Sequence, residues 1–327
     1  MIPDRPKFLI IKTSALGDII QSFPVVTYLK RKFPRCLIDW VVEKKHRELV
    51  DAHPQIDDVI PFNRANISSY RLMIKKKFYE AAFDLQGNIK SGLLLSQARA
   101  KKKVGFGFKT VSEWPNSLFT NWRSNPPVGE NIRSDYLHLV STFLGDKNQR
   151  VEEVVQLKTI EAVDFLLPAG ISKVVLVAPG ARWKNKQLSL EMLIKFLKQV
   201  KGHFLVSSGS LEEKEIAKKI VMAFNERSTL LPPLSLPRLQ NLMSKVSLVV
   251  AMDSLPLHLA GTTTTATISF FGPSNPQKFC PTGRQHTFFF GKCPFGITFE
   301  KRCPKLRTCS TGACMENMAN QFEESTF

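Results

Sequence analysis

A buried strand, a glycine-containing loop and a helix follow one another twice in this chain, and this repetition constrains the fold more than any other feature. In the first copy, the apolar run 8–11 is followed by the loop 13–18 and by apolar residues at helical spacing over 19–29. In the second copy, the apolar run 174–178 leads through a Pro-Gly pair into a helical pattern over 190–200. Short buried strands that alternate with helices indicate parallel sheets. The sequence therefore predicts an α/β protein with two doubly wound domains.

The rest of the chain fits the same scheme. Five further strands are predicted, at 37–42, 82–85, 204–206, 248–251 and 267–271. A length of 327 residues is right for two domains at roughly 100–200 residues each. A charged and loop-like stretch over 146–169 is the expected boundary, so the predicted domains are 1–155 and 156–327. Ligands bind at the carboxyl ends of the strands in such sheets, and we expect a cleft there between the two domains.

The charge of the chain points to anionic partners. Forty-six Lys and Arg residues against 28 Asp and Glu residues give a formal net charge of +18. Nucleic acids, anionic lipid headgroups and phosphorylated substrates are all attracted to such a surface. A nucleic-acid-binding module would interleave aromatic and basic residues in a recognisable motif, and none is found, so no nucleic-acid partner is expected.

No segment predicts export or membrane insertion. The apolar run 8–11 is too short for a signal peptide, and no stretch reaches the ~20 apolar residues that span a bilayer. We expect a cytoplasmic protein that is soluble or peripheral to the membrane. Five of the six cysteines lie in the last fifty residues without a CxxC pair. Reduced thiols are favoured there, with a structural metal as the alternative.

Several loops after predicted strands carry candidate functional residues. Asp18 ends the first loop at a helix start, where an aspartate serves either as a reactive group or only as a helix cap. Gly180, Arg182 and Lys186 follow the first strand of the second half, where glycine and cations suit a phosphate. Glu212 opens a helix after another strand, and such an acid can accept hydrogen bonds from a ribose diol.

A further loop in the second half begins a helix. Asp253 and Ser254 follow a strand, and His258 comes one helical turn after Ser254. Residues at this spacing lie on one face of a helix, so Ser254 and His258 can meet the same ligand. The alternative for His258 is a buried structural histidine.

Six motifs in order resemble glycosyltransferase family 9 over nearly the whole chain. They are Lys12-Thr-Ser-Ala-Leu-Gly-Asp18, Asp39-Trp-Val-Val-Glu43, Asp84-Leu-Gln-Gly-Asn-Ile-Lys-Ser91, Gly180-Ala-Arg-Trp-Lys-Asn-Lys186, Asp253-Ser-Leu-Pro-Leu-His258 and Phe271-Gly-Pro-Ser-Asn-Pro276. The resemblance implies the GT-B fold of two Rossmann-like domains. It also implies inverting transfer of L-glycero-D-manno-heptose from ADP-heptose to the Kdo–lipid A inner core of lipopolysaccharide, without a metal or cofactor.

The resemblance also implies roles for individual residues. Asp18 matches the general base, and Lys186 matches the lysine that neutralises the leaving diphosphate. The implied donor-binding residues are Gly180, Arg182, Glu212, Asp253, Ser254 and His258. The implied acceptor-binding residues, in the N-terminal half, are Thr13, Ser14, Arg64, Asp84, Gln86 and Lys90. The register of Glu212 is open by one residue.

Partners and alternatives follow from these implications. ADP-heptose, Kdo–lipid A and the anionic cytoplasmic face of the inner membrane are the expected partners. Basic residues of the N-terminal half, among them 75–77 and 101–103, are expected to contact that membrane near the acceptor. Two alternatives remain: a basic nucleic-acid-binding protein, and a family member that binds ADP-sugar without turnover because Leu255 replaces the usual glycine.

Overall fold

The computed structural model describes residues 4–63, 67–146 and 149–322. The chain divides into two units, Met1–Lys158 (unit 1) and Thr159–Phe327 (unit 2). The sequence prediction placed this division after residue 155.

Unit 1 is built on a six-stranded parallel sheet with the order β3-β2-β1-β4-β5-β6. Its strands are β1 (Lys7–Ile11), β2 (Leu37–Glu43), β3 (Asp58–Phe62), β4 (Phe78–Asp84), β5 (Arg99–Phe106) and β6 (Trp122–Ser124). The chain order reverses between β1 and β4, which pair directly. A doubly wound sheet forms its ligand crevice at the carboxyl ends of the strands on either side of such a reversal.

Unit 2 repeats the topology, with the order β12-β11-β10-β7-β8-β9. Its strands are β7 (Val174–Ala178), β8 (His203–Val206), β9 (Ser228–Leu230), β10 (Leu248–Met252), β11 (Ala266–Phe271) and β12 (His286–Phe290). Here the order reverses between β7 and β10. The two sheets confirm the α/β, doubly wound fold that the repeated strand–loop–helix pattern predicts.

Helices connect the strands of both sheets. In unit 1 they are α1 (Leu16–Ile20), α2 (Pro24–Lys32), α3 (Arg47–Asp51), α4 (Ile67–Lys75), α5 (Ile89–Ser96) and α6 (Ile132–Phe143). In unit 2 they are α7 (Leu190–Leu197), α8 (Leu211–Phe224), α9 (Leu236–Met243), α10 (Leu255–Ala260), α11 (Pro276–Phe279) and α12 (Ala313–Glu316). Short 3-10 helices lie at Lys44–His46, Trp114–Phe119, Asp164–Leu166, Lys184–Lys186, Asn225–Arg227 and Ala319–Phe322.

The first predicted helix is divided in two. The apolar spacing over 19–29 predicts one helix, whereas α1 ends at Ile20 and α2 begins at Pro24. Proline has no N–H to donate and fits the first turn of a helix, so Pro24 begins a new helix rather than continuing α1.

Each sheet has a buried core. The central strands β1 and β7 contain the apolar runs 8–11 and 174–178, which are buried throughout, as strands covered on both faces must be. In unit 2, Phe322 from the end of the described chain packs on Phe196, Phe270 and Phe289 with ring centroids 5.1–5.8 Å apart. Burying such a ring stabilises the fold by about 1.5–3 kcal/mol, so the last described turn is part of the second core. Among the described residues, no helix has the length and apolar character to cross a bilayer.

Candidate functional site

Two loops meet at the carboxyl ends of β1 and β4 in unit 1. The side-chain oxygen Oε1 of Gln86 accepts hydrogen bonds from the backbone N–H groups of Thr13 and Ser14, at 3.2 and 3.3 Å. Gln86 thereby ties the loop after β4 to the loop after β1. The predicted acceptor residues Thr13, Ser14 and Gln86 are brought together at the reversal point of the sheet.

Asp18 lies in the first turn of α1, directly after this loop, and is partly exposed. Its Oδ2 accepts a hydrogen bond from the backbone N–H of Ala15 at 3.2 Å. This bond is the helix-start contact that the capping alternative predicts. It orients the carboxylate, and the accessibility of the side chain leaves room for a reaction as well.

Lys12 belongs to the same edge of the sheet, and sequence reasoning assigned it no role. Its Nζ donates to the carbonyl of Leu85 at 3.1 Å and lies 4.8 Å from the ring centroid of Tyr136. Burial works against the ammonium, yet the pKa of Lys12 is raised. The causes that outweigh burial are the neighbouring Tyr136, Asp18 and Asp84. The position of Lys12, directly after a buried strand, is the sequence signal that could have identified it.

Asp84 is fully buried, so a direct contact with an acceptor, as its motif implied, does not fit its position. One oxygen accepts from the backbone N–H groups of Gln86 and Gly87 at 2.9 and 3.0 Å. The other accepts from Ser91 Oγ at 2.7 Å and from Asn116 Nδ2 at 2.6 Å. Burial raises the pKa of Asp84, although the four hydrogen bonds act to lower it. We therefore reassign Asp84 as the residue that shapes the loop carrying Gln86.

Lys90 lies near the carboxyl end of β2. Its Nζ forms an ion pair with Glu43 and lies 5.4 Å from the Phe62 ring centroid. Burial opposes the charge of Glu43, but hydrogen bonds from Lys90 and Lys45 lower its pKa. A cavity of about 740 Å³ lies beside this pair and is lined by Glu43, Lys44, Lys45, Phe62 and Asn63. The predicted acceptor residue Arg64 lies outside the described residues.

Other basic residues expected near the acceptor lie at the opposite edge of the sheet. Lys77 immediately precedes β4, and its Nζ donates to Asp39 Oδ2 at 2.8 Å. Lys101 lies in the first half of β5 and pairs with Glu80 at 2.8 Å. In a parallel sheet these strand starts lie away from the carboxyl edge that carries Asp18, so this part of the expectation is corrected.

In unit 2, a buried cluster forms around Asp253 at the carboxyl end of β10. Lys186 Nζ lies 2.5 Å from Asp253 Oδ2, and Ser274 Oγ donates to the same oxygen. His258 Nε2 lies 3.8 Å from the other oxygen. Burial opposes the carboxylate, but the positive charges of Lys186 and His258 hold the pKa of Asp253 below its ordinary value. Ser274 was missed by sequence reasoning, although the turn motif 271–276 contained it.

Ser254 stands beside this cluster with an unused polar atom. Its Oγ is buried and has no hydrogen-bond partner among the residues that the structure describes. A buried hydroxyl without a partner costs about 1–3 kcal/mol, and such atoms are often satisfied by a ligand or by water. Lys186 likewise has two ammonium protons beyond the one directed at Asp253. The predicted donor residues Lys186, Asp253, Ser254 and His258 are thus brought together.

The loop after β7 meets the start of α8 at Gly180. A Cβ at this position would overlap the carboxyl group of Glu213, so only glycine permits the approach. Glu213 Oε2 accepts from the backbone N–H of Gly209 at 2.6 Å. The neighbouring Glu212, predicted to bind ribose, is exposed on the first turn of α8. The geometry shifts the candidate acid by one residue, from Glu212 to Glu213.

Arg182 lies outside the buried cluster. It is exposed, and its guanidinium carbon lies 5.9 Å from the ring centroid of the neighbouring Trp183. Lys186 and Asn185, from the same motif, are buried instead. The motif therefore supplies one buried cation, Lys186, and two exposed cations, Arg182 and Lys184.

Four cysteine thiols of the C-terminal segment line one cavity of about 260 Å³, namely Cys293, Cys303, Cys309 and Cys314. Burial raises the pKa of Cys314 to about 11, and the other three cysteines add to this. Within the described part of the chain, no group of three His, Cys, Asp or Glu residues has an arrangement that could hold a metal ion.

Comparisons with solved structures agree with this architecture. The chain resembles a glycosyltransferase of family 9 from Veillonella parvula, with a TM-score of 0.75 at 16% identity, covering 99% of both chains. It also resembles the E. coli heptosyltransferase WaaC with ADP-2-deoxy-2-fluoro heptose, with a TM-score of 0.73 at 23% identity, covering 86% of this chain and 92% of WaaC. These likenesses confirm the GT-B fold.

Sequence comparisons identify the family. The chain is 29% identical to lipopolysaccharide heptosyltransferase 1 of Campylobacter coli over 314 residues, which covers 86% of this chain and 91% of that protein. It is 24% identical to lipopolysaccharide heptosyltransferase 1 of E. coli K12, covering 83% and 89%. The family description "Glycosyltransferase family 9 (heptosyltransferase)" matches residues 68–308, most of the chain. The chain therefore belongs to glycosyltransferase family 9, the heptosyltransferases.

Proposed function

We propose that this chain transfers L-glycero-D-manno-heptose from ADP-heptose to the Kdo–lipid A inner core of lipopolysaccharide, with inversion and without a metal ion. The names of its relatives and the bound ADP-sugar analogue of WaaC support the donor and the acceptor. The proposed place of action is the cytoplasmic face of the inner membrane, where the enzyme is peripheral.

The observation that carries the proposal is the buried pair of Lys186 and Asp253. Asp253 holds the Lys186 ammonium in place at 2.5 Å. Two of the three ammonium protons remain for an anion, as a departing diphosphate requires. This fixed cation takes the part that a metal ion plays in other transferases, so the reaction needs no metal.

Further donor contacts are proposed for the residues around this pair. Ser254 Oγ, which is buried and has no partner within the described ranges, donates to a phosphate oxygen, and His258 lies on the same helix to contact the donor. Glu213, beside Gly180, accepts hydrogen bonds from the ribose hydroxyls. The exposed Arg182 adds positive charge for the nucleotide.

The proposed base is Asp18 in unit 1. The acceptor hydroxyl attacks the anomeric carbon of the heptose while its proton passes to the Asp18 carboxylate. The bond between the anomeric carbon and the diphosphate oxygen breaks, and ADP leaves with its charge balanced by Lys186. Thr13, Ser14, Gln86 and Lys90 form the proposed acceptor surface around Asp18.

The test is turnover with defined substrates. The protein is incubated with ADP-heptose and with Kdo–lipid A that carries one or two Kdo residues, and mass spectrometry detects the addition of one heptose. We expect ADP release that matches heptose transfer, unaffected by a chelator. Transfer from a UDP- or GDP-sugar in preference to ADP-heptose would refute the donor, and ADP binding with no transfer to any acceptor would favour an inactive family member.

A further inference from the structure

Unit 1 exposes several large apolar side chains within one short stretch of sequence. Trp114 is 66% exposed, Leu118 is 73% exposed and Phe108 is 68% exposed. Ile89 and Leu93 on α5 are also exposed. Isolated apolar side chains are normal on a protein surface, whereas a group of them marks an interaction site. We call these five side chains the apolar surface of unit 1.

The elements that carry these residues pack against one another. Gly92 lets the 3-10 helix Trp114–Phe119 approach α5, because a Cβ there would overlap the Phe119 ring. Asn116 of that 3-10 helix donates to the carbonyl of Asn88, the residue that caps α5, at 2.8 Å. Ile89 and Leu93 are four residues apart and so share one face of α5.

Phe108 belongs to the same region through Arg123. The guanidinium carbon of Arg123 lies 5.3 Å from the Phe108 ring centroid. The same guanidinium donates to the carbonyl of Thr120 at 2.6 Å and to that of Ser117 in the 3-10 helix that carries Trp114 and Leu118. The 3-10 helix that carries Trp114 and Leu118 is therefore fixed by its contacts with α5 and by its hydrogen bonds from Arg123.

Positive charge lies beside the apolar surface. Between residues 85 and 125 the sequence has seven basic residues and one acidic residue, Glu113. Three of the seven, at positions 99, 101 and 102, belong to the start of β5, away from the carboxyl edge. Lys109 is exposed directly after Phe108, and the Arg123 guanidinium lies against the Phe108 ring. Lys103 Nζ donates to the carbonyl of Ser96 at the end of α5, which places this charge next to the helix that carries Ile89 and Leu93.

We propose that the apolar surface of unit 1, with the cations beside it, docks on an anionic lipid bilayer. Trp and aliphatic side chains enter the boundary between headgroups and acyl chains, and Lys and Arg side chains meet the lipid phosphates. Lysine is depleted at protein–protein interfaces, so lysines beside an apolar surface favour lipid headgroups over a protein partner. The inference rests on the proposed function, in which the acceptor is a glycolipid.

The surface is linked to the candidate acceptor loop. Glu113, next to Trp114, accepts a hydrogen bond from the backbone N–H of Ile89 at 2.8 Å, and its own N–H donates to the carbonyl of Gly87 at 3.0 Å. Gly87 follows Gln86, which holds the loop of Thr13 and Ser14. Docking here leaves the lipid chains of the acceptor in the bilayer while its sugars reach the carboxyl edge of the sheet.

The experiment is sedimentation with vesicles. One set of vesicles is pure phosphatidylcholine and the other is an equimolar mixture of phosphatidylcholine and phosphatidylglycerol. The test variant is Trp114→Ser/Leu118→Ser, and the matched control is Leu211→Ser/Met222→Ser, which removes two exposed apolar side chains of unit 2. Because the test and control residues are exposed, all variants are expected to fold.

We expect the wild type and the control to bind the anionic vesicles equally, and the test variant to bind at least about tenfold more weakly. Lys109→Gln, which removes the exposed cation next to Phe108, is expected to weaken binding about fivefold, with a smaller dependence on salt. Equal binding of the test variant and the wild type would overturn the proposal. Failure of the wild type to bind anionic vesicles would overturn it as well.

Turnover separates this inference from the proposed function. With a deacylated, water-soluble Kdo acceptor, the test variant is expected to match the wild type, and with the lipid acceptor in vesicles it is expected to be slower. Heptose transfer without any vesicle binding by the wild type would refute the docking surface alone. Vesicle binding without transfer to any acceptor would refute the proposed function instead.

Discussion

Each unit places one buried lysine and one buried aspartate at the carboxyl edge of its sheet, but the two pairs are used differently. In unit 1, Lys12 donates to a backbone carbonyl, and Asp84 accepts from four neutral donors. In unit 2, Lys186 and Asp253 bind each other directly. The pKa of Asp84 is accordingly raised by burial, whereas that of Asp253 is lowered by its cations.

This difference separates a scaffold from a binding site. The neutral donors around Asp84 use both of its oxygens and fix a loop, so the aspartate has nothing left for a ligand. The Lys186–Asp253 pair leaves ammonium protons unused, and the Ser254 hydroxyl beside it has no partner in the described part of the chain. The candidate site is marked by buried polar groups that have unused hydrogen-bond donors, rather than by burial alone.

The largest expected effect lies in unit 1, at the partly exposed carboxylate of Asp18. Asp18→Asn keeps the size of the side chain and removes its basicity. We expect turnover to fall about 10²–10⁴-fold, the usual cost of losing a positioned base, with ADP affinity and melting temperature little changed. Steady-state kinetics with ADP-heptose checks this.

The control for Asp18 is Asp51→Asn on α3, which removes an exposed ion pair with Arg47. We expect this variant to keep wild-type turnover. If Asp18→Asn retains more than about a tenth of wild-type turnover, a loss below that range, then Asp18 has a structural role at the start of α1 and the base is another group.

The second prediction compares the two lysines. Lys186→Met removes a charged donor from the proposed diphosphate site, and we expect ADP affinity to fall about 10–100-fold, which corresponds to about 1.5–3 kcal/mol. Lys12→Met removes a buried ammonium of unit 1, so ADP affinity is expected to stay within about twofold. Calorimetric titration with ADP measures both.

Lys186→Arg serves as the conservative variant, since it keeps the charge and is expected to recover part of the affinity. Equal losses for Lys186→Met and Lys12→Met would show that the two lysines do not differ as their partners suggest. The comparison between scaffold and binding site would then fail.

The third prediction sharpens the assignment within unit 2. Glu213→Gln weakens the acceptor proposed for ribose hydroxyls, so we expect about tenfold weaker ADP binding, or about 1.4 kcal/mol. The adjacent Glu212→Gln is a matched control with the same change of charge, and its affinity is expected to equal that of the wild type. A loss in Glu212→Gln instead would restore the residue that the sequence motif indicated.

The sequence predicted the fold well because its main signals are local. The runs that became β1 and β7 are apolar throughout, and such runs identify central parallel strands. The edge strand β6 has only three residues, Trp122–Ser124, none of them buried, so it lacked this signal. A short strand of this kind forms because its neighbour β5 offers hydrogen bonds, which periodicity does not report.

The candidate site was less accessible to sequence reasoning because it depends on which side chains meet. The motifs located Lys186 and Asp253, but their direct contact joins residues far apart in the chain. Asp84 lies in a motif beside Gln86, and only its burial and four donors distinguish a loop anchor from a contact residue. Glu212 and Glu213 are adjacent in the first turn of α8. The motif does not specify which residue begins the helix, so it does not decide between them.

The smallest expected effect is a pH dependence of opposite sign for the two buried aspartates. The folded-state pKa of Asp253 is lowered, so its charge contributes stability above the unfolded value near ~3.9, and this contribution is lost as pH falls through the folded pKa. The folded-state pKa of Asp84 is raised, so the folded state takes up the proton first and gains stability as pH falls toward that unfolded value. Asp253→Asn is therefore expected to be less stable than the wild type at neutral pH and to approach wild-type stability in acid. The stability of Asp84→Asn is expected to fall further below that of the wild type just above pH ~4. Melting temperatures of the three proteins between neutral pH and the onset of acid unfolding give both differences, and Asp51→Asn supplies the baseline for an exposed aspartate. Parallel curves for the two variants would mean that the neutral donors and the ion pair hold their carboxylates alike.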